Sequence, residues 1–100
     1  MTDITVEELK EKLDNKEAFV FIDVREPTEF QEYNMNAQLV PLGVFEARLH
    51  EFEDQKDIEV VVHCRSGGRS ASAKAIMIQH GFKNVRNLLG GALAFQEKYG

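Results

Sequence analysis

Apolar positions along this chain follow two rhythms, and the two alternate. Continuous apolar runs stand at Phe19-Val20-Phe21-Ile22-Asp23-Val24, with a single acid near its end, and across residues 59–63, which enclose Val60-Val61-Val62. Unbroken runs of this length predict strands buried on both faces. Weaker strands are predicted at residues 38–42, where Pro41 marks an edge or an irregular end, and at residues 85–88. Between these runs apolar side chains recur at helical spacing. Thr5 and Glu8 form a capping box with Ile4 and Leu9 at the ends of a hydrophobic staple, so a helix starts there and buries Val6, Leu9 and Leu13. Glu26-Pro27-Thr28 stops the first strand and opens a short helical turn near Glu29 and Phe30. Phe45, Leu49 and Phe52 share one face of a helix reaching about Gln55. Ala71, Ala75 and Ile78 form the buried face of a helix that Gly81 ends, and Ala92, Phe95 and Tyr99 that of a last helix after a Gly90-Gly91 turn.

Strands alternating with helices predict an α/β fold: a mostly parallel sheet with helices on both faces. In such sheets ligands bind at the carboxyl ends of the strands. Asp23 and Cys64 both fall at such ends.

The loop Cys64-Arg65-Ser66-Gly67-Gly68-Arg69-Ser70 joins the Val60-Val61-Val62 strand to the helix after it, and holds the only cysteine of the chain. A lone cysteine beside a strand is usually a small buried hydrophobe. The flanking residues argue otherwise here. Gly67 and Gly68 remove side chains that would block an anion and permit unusual backbone angles. The N–H groups that open the following helix stabilise negative charge, and Arg65 and Arg69 add to that field. The arrangement predicts a thiolate-rich Cys64 able to attack electrophiles and carry an anionic intermediate.

Length and composition narrow the setting. One hundred residues suit one domain, residues 1–100, and 43% apolar with 29% charged content is that of a globular chain. No apolar run approaches a membrane span, and the first residues lack the basic and apolar regions of a secretory signal. A single cysteine can neither close an internal disulfide nor build a thiolate metal site alone, which favours a reducing compartment, most simply the cytoplasm. The net charge of −5 argues against nucleic acid as a partner, because phosphate binding needs a basic face.

Taken together, these segments resemble single-domain rhodaneses, a family of sulfurtransferases. The cysteine loop matches the family's active-site loop throughout. Asp23-Val24-Arg25-Glu26-Pro27-Thr28-Glu29-Phe30 is similar to its early Asp-x-Arg-x-x-x-Glu-Phe/Tyr segment, and Gly81-Phe82-Lys83-Asn84-Val85 and Gly90-Gly91-Ala92-Leu93-Ala94-Phe95 resemble its last strand and last helix entry. The chain departs from the family at Tyr33-Asn34-Met35-Asn36-Ala37, and Phe95 stands where the family usually has Trp. The resemblance implies a rhodanese-like three-layer fold around a mostly parallel five-stranded sheet. It also implies sulfane-sulfur transfer by a ping-pong route. Cys64 takes the outer sulfur of a small anionic donor such as thiosulfate or a persulfide, and an external thiol, a protein acceptor or cyanide removes it. No metal or organic cofactor is implied.

Roles in the loop follow from the same likeness. Arg65 either projects outward to steer the donor or is a solvated surface arginine. Arg69 either contacts substrate or pairs with a carboxylate, for which Asp23 is a candidate, while Arg25 pairs with Glu29. Ser66 and Ser70 donate hydrogen bonds, and Ser70 alternatively caps the helix. His63 is not a base for Cys64, because adjacent strand residues point to opposite faces; His50 and His80 are surface residues. Two rivals remain beside the enzyme: a sulfur-carrier or partner-binding module with little thiosulfate turnover, and a cysteine-loop phosphatase or arsenate reductase. Loops of the related phosphatases are a residue longer between cysteine and arginine, so this cradle suits one sulfur atom better than a phosphoryl group.

Overall fold

The computed structural model describes residues 2–100. Strands β1 (Val20–Asp23), β2 (Gln38–Leu39), β3 (Val60–His63) and β4 (Val85–Asn87) form a parallel sheet in the order β2-β1-β3-β4. Register runs from Val20 opposite Val60 to Asp23 opposite His63, and from Val60 opposite Val85 to Val62 opposite Asn87. The sheet has four strands rather than the five expected. What remains of the fifth is one bridge, in which the Ile4 N–H donates to Asn87 O at 3.0 Å and the Leu89 N–H to Ile4 O at 2.9 Å. Thr5 is already the N-cap of helix α1 (Val6–Asp14), in the expected capping box with Glu8, so the extended segment cannot lengthen.

The central strands are apolar on both faces because both faces are covered. Alternate residues Val60, Val62 and Cys64 join Ile22, Phe45 and Met77 in one core, while Val61 joins Ile4, Leu9, Leu88 and Phe95 in the other. Helix α3 (Leu42–Arg48), its continuation in 3₁₀ geometry over Leu49–Gln55, and helix α4 (Gly68–Gln79) cover the first face. Helices α1 and α5 (Gly91–Tyr99) cover the second. Phe45, Leu49 and Phe52 are buried on one side, as their spacing predicts.

Helix α4 is rotated from expectation. It buries Ser70, Ala73 and Met77, whereas Ala71 and Ala75 are exposed and Ile78 is 53% exposed. Alanines lie on several sides of this helix, so apolar spacing cannot choose among its faces; the choice is made by Ser70, turned inward toward the cysteine. Helix α2 (Pro27–Glu32) buries no residue fully and follows the carboxyl end of β1. In the segment after it, the Asn34 side chain accepts from Asn36 N–H at 3.0 Å, turning the chain so that Met35 and Ala37 go inward. Among the described residues no helix is long and apolar enough to cross a membrane.

Candidate active site

Cys64 leaves the end of β3 with its side chain in the first core, 1% exposed. The loop then turns sharply at Gly67, whose φ of +113° only glycine adopts without strain. That turn makes Gly67 the N-cap of α4 and folds the loop N–H groups back toward sulfur. The Gly67 N–H donates to Sγ at 3.1 Å and the Ser70 Oγ lies 3.3 Å from it. Gly68, by contrast, has an ordinary backbone and open space where a Cβ would stand. Burial pushes the thiol up, but hydrogen bonds from the Ser70 hydroxyl and from the N–H groups of Ser70, Gly67 and Ser66 more than offset it, so Cys64 ionises below its ordinary value. The pocket is chemically a cradle for a sulfur anion.

Two supports hold that cradle from behind. On β4, the Asn87 amide donates to Gly67 O at 3.1 Å and accepts from the Ser70 hydroxyl at 2.5 Å. Nothing in the sequence pattern marked Asn87, because an asparagine before a Gly-Gly turn is indistinguishable from an ordinary turn residue. At the start of α5, the Ala92 N–H donates to Cys64 O at 2.8 Å and the Leu93 N–H to Arg65 O at 2.9 Å. Helix N–H groups that would otherwise lack partners thus draw the loop carbonyls inward. Gly91 permits this approach: it has φ +62°, and a Cβ there would sit 2.6 Å from Cys64 O.

The ion pairs differ from expectation. Arg69 grips Glu29 with both oxygens engaged, at 2.7 and 2.9 Å, and the guanidinium holds the Glu29 carboxyl down to about 2 despite its partial burial. Asp23 instead takes Arg25, from Nε at 3.1 Å and Nη2 at 2.8 Å, and accepts its backbone N–H at 2.9 Å. The physical reason is the extended backbone: residues two apart face the same side, so Asp23 and Arg25 meet before α2 begins. Arg25 then donates to Tyr33 O at 2.6 Å and Glu29 O at 3.4 Å. A line of support results, from Asp23 through Arg25 to α2, and from Glu29 on α2 to Arg69 in the loop. Arg65 projects to the exposed surface and lines a groove beside the loop; Ser66 is exposed as well.

His63 is fully buried and turned to the opposite side of the sheet from Cys64, against Phe21. Its Nδ1 lies 3.3 Å from Cys64 O and its Nε2 3.6 Å from Asp23 Oδ2, with no hydrogen-bond partner for Nε2. Burial holds this imidazole below its ordinary pKa, against the pull of Asp23. His50 and His80 are exposed, His80 beside Glu46.

Comparison with known proteins agrees with this fold. A sulfurtransferase of Allochromatium vinosum is 34% identical, with 95% of this chain and 88% of that protein covered. The putative sulfur carrier protein YrkF of Bacillus subtilis is also 34% identical over 89% of this chain, which spans about half (48%) of its length. Among solved structures, a rhodanese-like domain protein from Staphylococcus aureus superposes with a TM-score of 0.84 at 31% identity, covering 95% of this chain and 91% of that one. The Rhodanese-like domain model matches residues 5–98, so this chain, with its cysteine cradle at the carboxyl end of a parallel sheet, belongs to the rhodanese-like domain family.

Proposed function

We propose that residues 1–100 act as a single-domain sulfurtransferase that carries a sulfane sulfur on Cys64. The observation that carries this reading is the anion cradle around Sγ, in which the Gly67 N–H stands at 3.1 Å and the Ser70 hydroxyl at 3.3 Å. The thiolate attacks the outer sulfur of a donor such as thiosulfate. The donor's S–S bond breaks and sulfite departs with the bonding pair, leaving a Cys64 persulfide. The loop N–H groups, already oriented, stabilise its terminal sulfur with little reorganisation. An external thiol or cyanide then removes that sulfur. Arg65 steers the anionic donor, Arg69 is a bracing residue through Glu29, and Gly67 and Gly68 keep the approach open. Asp23 and Arg25 support the loop through α2. A reducing compartment, the cytoplasm, suits the free thiol.

A sulfur-carrier role is the second reading, favoured by the likeness to the putative sulfur carrier protein YrkF; with Cys64 the only cysteine in this sequence, either reading needs an external acceptor. Both readings share the loading step and differ in turnover. Intact-protein mass spectrometry before and after thiosulfate tests that step, with Cys64→Ala as control. A gain of one sulfur that needs Cys64 and disappears with cyanide supports transfer; no gain from thiosulfate or from polysulfide removes it. Rapid steady-state turnover separates the enzyme from the carrier.

A further inference from the structure

A groove of about 210 Å³ lies beside the cysteine loop, between α2 and the start of α5, and its lining includes Glu32, Tyr33, Arg65, Ala92, Leu93 and Gln96. Arg65 brings the groove against the loop, and the Ala92 and Leu93 N–H groups that hold Cys64 O and Arg65 O belong to two more of its lining residues. Arg25 and Glu29 also reach this groove, but Asp23 and Arg69 already occupy them. Glu32 and Arg65 are different: both are exposed, and neither has an ion-pair partner among the described residues. One small groove therefore offers a carboxylate and a guanidinium free for a ligand, apolar contact from Ala92 and Leu93, and the Gln96 amide.

Charge decides what fits. A doubly anionic donor such as thiosulfate meets Arg65 favourably and Glu32 unfavourably. A plain alkyl thiol uses neither. A ligand carrying a carboxylate and an ammonium satisfies both. We propose that this groove binds the sulfur acceptor and selects a zwitterionic thiol, its carboxylate on Arg65 and its ammonium on Glu32. This rests on the sulfurtransferase reading and adds the acceptor's chemical class to it.

The transfer step balances without a co-reactant. The acceptor's thiol proton passes to the outer sulfur of the anionic Cys64 persulfide, and its thiolate attacks that sulfur. A new S–S bond forms, the bond from Sγ to the outer sulfur breaks, and the pair returns to Sγ as the Cys64 thiolate. The product is the acceptor's own persulfide, which carries the persulfide proton. The transferred sulfur moves from one disulfide-level bond to another.

The test loads Cys64 with sodium polysulfide, confirms the added sulfur by intact mass, and follows its discharge by three thiols. These are L-cysteine, cysteamine, which carries only the ammonium, and 3-mercaptopropionate, which carries only the carboxylate. Each rate is compared between Glu32→Gln and the unmodified chain, so differences in thiol acidity cancel. Glu32→Gln is expected to slow cysteine and cysteamine by roughly two- to fivefold, the scale of an exposed ion pair, and to leave 3-mercaptopropionate unchanged or faster. Arg65→Gln gives the complementary pattern, slowing cysteine and 3-mercaptopropionate by more than it slows cysteamine. Equal effects on all three thiols, or none, overturn the acceptor assignment while loading still stands. A chain that never loads overturns the sulfurtransferase reading and this assignment with it.

Discussion

The Ser70 hydroxyl lies 2.5 Å from Asn87 Oδ1 and 3.3 Å from both Cys64 Sγ and Gly67 O, and its single proton has three claimants. While the cysteine is protonated, the shorter bond keeps that proton at Asn87 and leaves Oγ to accept from the thiol. Once the thiolate forms, the hydroxyl turns toward sulfur. Ser70→Ala is therefore expected to raise the pH at which Cys64 ionises and to slow its alkylation at neutral pH by roughly three- to tenfold, the net scale of one hydrogen bond, because the hydroxyl gives up its bond to Asn87 to reach sulfur. The rate of iodoacetamide modification against pH measures this. An unmoved midpoint would mean that the backbone N–H groups hold the thiolate alone. Asn87→Ala releases the proton and is expected to move the midpoint the other way; an upward move would show that bracing Gly67 is its main effect.

Glu29 and Arg69 couple the loop to α2, and their bond titrates. The Glu29 carboxyl is held at about 2, below its ordinary 4.5, so the pair stabilises the fold fully above the ordinary value and loses that contribution as pH falls toward 2. Arg69 is 38% exposed, so solvent screening limits the worth of the pair to about 1 kcal/mol. Urea denaturation should show Glu29→Gln less stable by that amount at pH 7, with the gap narrowing below about 4.5 and closing only below about 2. A gap that persists at low pH would assign the loss to packing.

Glycine positions in the site are unequal. Gly91→Ala places a Cβ against Cys64 O and Arg65 O at a left-handed backbone angle, and both conflicts involve main chain that cannot swing aside. A loss of about 3 kcal/mol or more in thermal or urea unfolding is expected, with slower sulfur uptake. Gly68→Ala meets nothing within 4 Å and should keep stability within about 0.5 kcal/mol. Equal behaviour of the two variants would refute this ranking.

His63 predicts a second pH dependence, of opposite chemistry to that of Glu29. Burial lowers its pKa below 6.5, so the folded chain keeps it neutral while the unfolded chain binds a proton. Stability from this residue is complete above about 6.5 and declines as pH falls below it, by at most about 1.4 kcal/mol per pH unit. His63→Gln should flatten the stability profile between pH 7 and 5, whatever it does to absolute stability. An unchanged slope would place the titrating group elsewhere.

Reading the chain alone reaches the strands, the capping box and the cysteine loop because each is written in neighbouring residues. Val60-Val61-Val62 can hardly be anything but a covered strand, and Thr5 with Glu8 needs only local contact. What escapes is decided across the sheet. Asn87 matters only because β4 runs beside the loop. Arg86 is buried within β4 only because Glu8 and Glu59, from distant segments, reach it at 3.0 and 2.9 Å. The exchange of partners among Asp23, Arg25, Glu29 and Arg69 has the same origin: the expected partner of Arg25 is Glu29, yet Arg25 precedes the helix and folds back onto the strand.

The grip of Ala92 and Leu93 on the carbonyls of Cys64 and Arg65 has a consequence for biosynthesis. The nucleophile is translated well before the helix that orients its loop. A nascent chain that has cleared the ribosome as far as Ser70 holds a thiol without the peptide arrangement that makes it acidic. The loop is fully braced only once α5 has emerged and docked, so the cradle is completed late in the order of synthesis.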